Sequence, residues 1–436
     1  MPTIRRAFIF FLLLLLALCA SQAGAQVVRV NIDDTIHPMT DEYIGRSLDR
    51  AKAMKADVVI IQLRTPGGLV DSTRSIVEKI LASPVPVVVY VAPSGAHAAS
   101  AGFYILQAAD VAAMAPGTNT GAAHPVTIGA GKIDDVMKSK IENDVAAFLR
   151  SYVSKRGRNA AVAETAVRES KSFTEQEALS QQLIDIVAAD EKDLLKQLEG
   201  REVRRFNGTT ATLHVSGKPV EDSEMSLKQR ILGFLMNPNI TFIVLAIGAL
   251  ALYFEFNNPG AILPGVVGAL FILLAAFALN LLPTRFAALA LILLAFILFG
   301  LEAKFTSHGI LGTGGIVSLT LGALLLVDGP IPEMRVRLWT ALAVSVPLGV
   351  ITIFLMTIAL RAHRNKVITG EQGLVGEIGV ARSDLNLQGK VFVHGELWDA
   401  HSSSPIASGD SVVVERVNGM LLDVRPAHVR EPASAG

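Results

Sequence analysis

The run Asp57-Val58-Val59-Ile60-Ile61-Gln62-Leu63 decides the fold of the N-terminal part of the chain, because it is almost continuously apolar and β-branched. Such a run is typical of a strand that is buried on both faces of a parallel sheet. It ends at the turn Thr65-Pro66-Gly67-Gly68, and helical spacing follows over residues 71–81. Similar runs occur at Val27–Ile32, Val85–Val91 and Val111–Met114. Strands that alternate with helices predict parallel βα units, and therefore an α/β domain over residues 26–200.

A serine follows one of these predicted strands within a cluster of small residues, Ala98-Ala99-Ser100-Ala101-Gly102. A serine at a helix start has free backbone N–H groups beside it, and small neighbours leave room for a substrate. The commoner role of such a serine is only that of an N-cap, here of an Ala- and Gly-rich helix. Gly67 and Gly68 favour a chemical role, because their N–H groups, with that of Ala101, could form an oxyanion hole.

A serine nucleophile needs a base, and the sequence leaves several candidates open. They are His97, His124, Lys138 and Lys140. Lys140 lies in the helical stretch Lys132–Lys155, one position before the apolar Ile141, which predicts a place on the rim of the buried face. A lysine that is shielded from water loses its proton more readily. His124 lies in a loop after Gly121, but the spacing marks no carboxylate that would orient it.

The composition of the 436 residues indicates a membrane protein, since 51% are hydrophobic and only 18% are charged. The formal net charge of zero gives no support to nucleic-acid binding. Residues 1–25 resemble a signal peptide, with Arg5 and Arg6 before an apolar core and Ala23-Gly24-Ala25 as the cleavage site. The single cysteine, Cys19, lies in this peptide, so the mature chain would have neither a disulfide nor a cysteine nucleophile.

The second half of the chain predicts a multi-pass helical membrane region followed by a small β-rich domain. About five apolar segments are long enough to cross a bilayer. They cover roughly 239–256, 261–281, 285–301, 309–327 and 339–360, and residues 201–238 before them are interpreted as a linker. Short runs separated by glycine turns over 367–428 indicate a small barrel such as an OB-fold.

The chain is predicted to be a cell-membrane protein whose signal peptide places the α/β domain on the extracytoplasmic, periplasmic side. Five spans would then place the C-terminal domain in the cytoplasm. Arg361, Arg364 and Lys366, directly after the last predicted span, fit a cytoplasmic C-terminus. Arg335 and Arg337, directly before that span, do not fit.

At these motifs the chain resembles the NfeD family of membrane-bound serine proteases, which belongs to the ClpP/crotonase superfamily. The resemblance covers nearly the whole chain in the order signal peptide, protease domain, spans and OB-like domain. The matching segments are Thr65–Gly68, Ser94–Gly102, Met114–Pro125, Lys140–Asp144, Arg156–Asn159 and Leu183–Asp185.

The resemblance implies a membrane-anchored endopeptidase with a Ser–Lys dyad, in which Ser100 is the nucleophile and Lys140 the general base. The Gly67–Gly68 turn and Ala101 would bind substrate and supply oxyanion donors. His124 falls near the place of the ClpP histidine and is the alternative base. Only Glu169, out of register, stands where ClpP has its aspartate, which favours the lysine.

The resemblance also implies a substrate protein and binding partners. The expected substrate or partner is a stomatin/SPFH protein, cleaved in its hydrophobic C-terminal region. The protease domain is expected to form a homo-oligomer, a dimer or higher, and the lipid bilayer is a further expected partner. No cofactor, metal or nucleic acid is expected. Two other functions stay open: a non-catalytic membrane scaffold for SPFH proteins, and a crotonase-type acyl-CoA enzyme, which an extracytoplasmic location disfavours.

Overall fold

The computed structural model describes residues 26–126, 134–257, 262–305, 307–364 and 371–427. The predicted signal peptide lies outside these ranges. The chain divides into two compact units, Met1–Val350 and Ile351–Gly436. The first unit contains the α/β domain together with most of the apolar helices, and the second contains the C-terminal barrel.

The α/β domain is built on a six-stranded sheet in which every pairing is parallel. The strands of this part of the chain, in sequence order, are β1 (Val27–Asp33), β2 (Val58–Arg64), β3 (Val87–Val91), β4 (His97–Ala99), β5 (Val111–Met114), β6 (Asn119–Gly121), β7 (Ser172–Thr174), β8 (Ile186–Val187), β9 (Glu202–Arg204), β10 (Thr210–Thr212) and β11 (Val220–Asp222). The large sheet has the order β11-β1-β2-β3-β5-β8, and β4, β6 and β7 form a separate three-stranded sheet. The predicted α/β class is therefore confirmed.

Helices accompany the strands in this part of the chain. They are α1 (Pro38–Met54), α2 (Val70–Ala82), α3 (Ala101–Ala108), α4 (Asp135–Val153), α5 (Ala160–Arg168), α6 (Glu175–Ser180), α7 (Glu191–Leu198) and α8 (Leu227–Leu235). Side chains of successive strand residues point to opposite faces. Val59 and Ile61 of β2 therefore belong to one buried cluster, and Val58 and Ile60 to another. Burial on both faces explains why β2 has no polar alternation.

The stretch 201–238, interpreted from the sequence as a linker, is structured. β9 and β10 form an antiparallel hairpin, and β11 pairs in parallel with β1 as the edge strand of the large sheet. Arg29 of β1 donates to Asp222 of β11 at 2.6 Å and to Glu191 at 2.7 Å. The strand escaped sequence analysis because it is three residues long and two of them are acidic, whereas an edge strand needs only backbone pairing and one buried face.

Apolar helices form at each of the predicted spans. They are α9 (Pro238–Asn257), α10 (Ile262–Leu281), α11 (Phe286–Lys304), α12 (Ile310–Leu325) and α13 (Leu338–Arg364). Within the described residues, three helical stretches are long and apolar enough to cross a membrane, namely Pro238–Phe256, Ile262–Leu281 and Pro332–Thr352. The apolar parts of α11 and α12 are shorter, at Phe286–Glu302 and Ile310–Leu325. At ~1.5 Å per residue they reach roughly 24–26 Å, somewhat less than a ~30 Å hydrocarbon core.

The C-terminal domain is a closed barrel of five strands, which confirms the predicted small β-barrel. A short helix α14 (Glu371–Leu374) precedes β12 (Ile378–Ala381), β13 (Gln388–Val393), β14 (Glu396–His401), β15 (Ser411–Asn418) and β16 (Leu421–Pro426). Its interior is apolar and includes Val391, Val412 and Leu422. The narrower assignment to the OB-fold remains a prediction.

The segment Arg156–Asn159 has a structural role, because it fixes the end of α4 against the domain. Arg156 and Arg205 both pair with the buried Asp110, and Arg158 donates to Asp185 at 2.6 Å. Burial by itself would raise the pKa of Asp185, but the Arg158 guanidinium lowers it below the usual range. The C-terminal half of α4 is thereby held in place.

Candidate active site

Ser100 stands between β4 and α3 in a backbone conformation that side chains rarely adopt, with φ 50° and ψ −111°. Its N–H donates to the carbonyl oxygen of Gly121 at 2.9 Å, which ties this turn to the end of β6. Within the described ranges, its Oγ has no hydrogen bond to the protein, and no side-chain cap bond is present at the start of α3. Ser100 is therefore not a capping serine in this structure, and strain of this kind is typical of functional sites.

The Thr65–Gly68 turn lies directly against Ser100. Thr65 bonds through its N–H to the carbonyl of His97 at 2.8 Å, and through its carbonyl to the N–H of Ala99 at 3.1 Å. Gly67 has φ +121°, and a Cβ at this position would lie 2.8 Å from the Cβ of Ser100. Only glycine combines this conformation with so close an approach.

Two backbone N–H groups near Ser100, those of Gly68 and Ala101, are the predicted oxyanion donors. Ile36 donates to the carbonyl of Gly67 and accepts from the N–H of Leu69, both at 2.8 Å. Because adjacent residues in extended chain point their N–H groups to opposite sides, that of Gly68 faces away from Ile36. The N–H of Ala101 belongs to the first turn of α3 and has no partner inside the helix. Gly68, Ser100 and Ala101 line the same pocket.

The pocket beside Ser100 is apolar and narrow, with about 60 Å³ open to the centre of a water molecule. This volume suits one side chain rather than a long peptide, since a single water molecule needs roughly 10–15 Å³. The remaining walls come from Leu69, Val70, Thr73, Arg74, Tyr104, Ala123, Pro125, Val126, Val145, Phe148, Pro330 and Ile331. Burial raises the pKa of the Tyr104 phenol, so it remains a neutral donor, here to the carbonyl of Ala123 at 2.9 Å.

The sequence predicted that Lys140 is partly shielded from water, but the structure does not show this. Its side chain is exposed, and none of residues 134–144 is buried. Val145 is the first buried residue of α4, whereas Ile141 is half-buried and packs against the core of the α/β domain. Val145 and Phe148 line the Ser100 pocket, whereas Lys140 and Lys138 do not. Among the described residues, no hydrogen bond joins Lys140 to Ser100.

The two histidines near Ser100 occupy different environments. Nδ1 of His124 lies 2.8 Å from the carbonyl oxygen of Val167. Because a carbonyl only accepts, Nδ1 is the donor in this contact. His97 lines another cleft, together with residues such as His37 and Arg337. Neither ring contacts Ser100 by a hydrogen bond in the described part of the chain.

Several pocket residues were not identified from the sequence. Arg74 stacks over the Phe148 ring at 4.6 Å and pairs with Asp144, which joins α2 to α4. Pro330 and Ile331 belong to the connection between α12 and α13 and have no motif. The sequence contains one signal that this connection is unusual. Arg335 and Arg337, which follow Pro330 and Ile331, do not fit the positive-inside pattern.

Comparisons with known proteins match all three parts of the chain. Residues 26–202 match the family model of the NfeD1b N-terminal domain, 239–358 the NfeD integral membrane domain, and 371–426 the NfeD-like C-terminal, partner-binding domain. Membrane-bound protease PH1510 from Pyrococcus horikoshii is 32% identical, over 99% of this chain and 99% of that protein.

Solved structures resemble the N-terminal domain. A variant of the 1510-N membrane-bound stomatin-specific protease in complex with a substrate peptide is 33% identical, covers 49% of this chain and 98% of that chain, and has a TM-score of 0.45. ClpP1 from Listeria monocytogenes is 18% identical, covers 38% of this chain and 94% of that chain, and has a TM-score of 0.32. The resemblance inferred from the sequence is confirmed by the family models and the full-length relative, and this chain belongs to the NfeD family of membrane-bound proteins.

Proposed function

We propose that the chain is a membrane-anchored serine endopeptidase with Ser100 as its nucleophile. The observation that carries the proposal is the strained Ser100, whose Oγ has no hydrogen bond to any described residue and which lines one apolar pocket with Gly68 and Ala101. Oγ attacks the peptide carbonyl carbon, and the two N–H groups stabilise the negative charge on its oxygen. The amine leaves with a proton, and water then hydrolyses the acyl-enzyme.

Lys140 is proposed as the general base that accepts the Ser100 proton and passes it to the leaving amine. Its exposed position on α4 requires that the first turns of the helix approach Ser100 when substrate or a second copy binds. Catalytic hydrogen bonds are often long in a free enzyme and shorten in the complex. A homo-oligomer is therefore part of the proposal.

The proposed substrate is an apolar segment of a membrane-associated protein of the stomatin/SPFH type. A relative is named as a membrane-bound protease, and a similar structure as stomatin-specific. The pocket supports this class, since Arg74 is the one charged residue among its described lining residues and is already paired. The barrel would bind the partner protein, as its family description states. The signal-like N-terminus supports an extracytoplasmic site and a cytoplasmic barrel.

Peptide hydrolysis by the full chain in detergent tests the substrate class. One peptide is an apolar segment from the C-terminal region of a stomatin homologue, and the matched peptide has serine in place of each Val and Leu. We expect the kcat/KM of the apolar peptide to be about 100-fold higher, because an apolar pocket loses contacts with each replacement. Mass spectrometry identifies the products. Equal cleavage of both peptides would exclude apolar selection, and absence of cleavage would favour the alternative role as a scaffold for SPFH proteins.

Substitution of Gly67 by alanine should disturb the position of Ser100. The new Cβ would lie 2.8 Å from the Ser100 Cβ, and misplacement by about 1 Å can cost roughly 100-fold in rate. We expect kcat to fall by about that factor. Gly95→Ala is the matched control, because Gly95 also has a positive φ of +83° but nothing lies within 4 Å of its Cβ position. A similar loss in both variants would assign the effect to general backbone strain.

A further inference from the structure

The connection between α12 and α13, which belongs to the membrane region, forms one wall of the Ser100 pocket. Pro330 and Ile331 line the pocket opposite residues of the α/β domain, including Leu69 and Phe148. Leu69 and Ile331 also pack against one buried cluster that contains Met39 of α1 and residues of α8 to α13. The α/β domain and this end of the helices therefore share a continuous apolar contact beside the proposed nucleophile.

Hydrogen bonds hold this connection in a defined conformation. Asp328 accepts from Arg285, which precedes α11, at 2.7 Å, and its N–H donates to the carbonyl of Pro283 at 2.8 Å. Nε of Arg335 donates to the carbonyl of Gly329 at 2.8 Å. These bonds lie on both sides of Ile331, so its position is set by the membrane region. They also give Arg335 a structural role on this side of the helices.

The connection is further tied to the start of α9. The N–H of Arg337 donates to Oδ1 of Asn239 at 2.9 Å, and Met334, three residues after Ile331, is buried. The start of α9 follows α8 by a short turn, and Met236 in that turn joins the same buried cluster as Met39. Ile331 is thus held between the α/β domain and the ends of the apolar helices α9, α11, α12 and α13.

We infer that Ile331 is a specificity-determining residue, which limits the size of the substrate side chain that enters the Ser100 pocket. This inference rests on the proposed endopeptidase function and adds a substrate class to it, a segment that carries a small or medium apolar side chain and continues into the bilayer. Such a segment would reach Ser100 along the membrane-side wall. Because the wall is apolar and fixed, a substrate side chain gains contact only up to the size of the gap.

The test varies the size of residue 331 in the full chain and the size of the substrate side chain. An apolar peptide series carries Ala, Val or Phe in turn at each position that flanks the cleaved bond. We expect Ile331→Phe to lower the kcat/KM ratio of Phe to Ala peptides at one position by about 10-fold, and Ile331→Ala to raise that ratio several-fold. Leu338→Phe and Leu338→Ala are the controls, since Leu338 lies outside the pocket and is 51% exposed.

Labelling of Ser100 by a small fluorophosphonate separates this inference from the function on which it rests. Leu338→Phe and Leu338→Ala should react with the probe at the wild-type rate, because Leu338 lies outside the pocket. The Ile331 variants should still be labelled, because Ile331 supplies no reacting atom. Ratios within about twofold of wild type at every position, in variants that still label and cleave, would overturn the role of Ile331. If the wild-type protein itself neither reacts with the probe nor cleaves the peptides, the proposed endopeptidase function is refuted.

Discussion

Replacement of Ser100 by alanine is expected to lower kcat for peptide hydrolysis by roughly 10⁴-fold or more, because no covalent acyl-enzyme can then form. The Oγ that is lost has no hydrogen bond to any described residue. The substitution should therefore leave the fold intact, and it removes only one atom from a half-buried turn. Cleavage assays and thermal unfolding of the full chain measure the two quantities.

Ser94→Ala is the matched control for this experiment. Ser94 lies in the exposed turn before β4, six residues before the nucleophile, and is not part of the Ser100 pocket. It should keep wild-type activity. Full cleavage by the Ser100→Ala variant would remove the basis of the proposed mechanism, whereas a large fall in the unfolding temperature would assign the loss of activity to folding.

Replacement of Lys140 by alanine is expected to lower kcat by roughly 10²–10⁴-fold, the usual contribution of a general base. His124→Ala should change kcat by less than about threefold, because the His124 ring bonds to the carbonyl of Val167 and has no hydrogen bond to Ser100 among the described residues. Single-turnover measurements of acylation with the same peptide give the comparison directly. They also avoid any effect on product release.

Lys138→Ala controls for the charge of α4. Lys138 and Lys140 are both exposed on the first turns of this helix, so a loss of general electrostatic attraction would affect both variants alike. A large loss in His124→Ala with normal activity in Lys140→Ala would transfer the role of base to the histidine. Equal small effects in both variants would show that neither residue takes the proton.

The local signals in the α/β domain were sufficient to predict four strands of its large sheet, β1, β2, β3 and β5. β2 begins with four consecutive apolar residues, Val58 to Ile61, because both of its faces are buried. This local run identifies the strand even when its partner strands are not known. The apolar helices could also be predicted from the sequence, because a membrane span must be apolar over most of its length. Edge strand β11 was not predictable, since it is short and polar and depends on the backbone of β1.

The sequence by itself determined the α/β class, the apolar helices, the small barrel and the candidate serine, because each depends on residues close together in the chain. Tertiary structure decided what surrounds Ser100. It brought Gly67 and Gly68 against the serine, left Lys140 exposed on the first turns of α4, and added Ile331 from a connection more than two hundred residues away. The physical reason is that packing of distant segments sets burial and distance, and no periodicity in the sequence records which segments pack together.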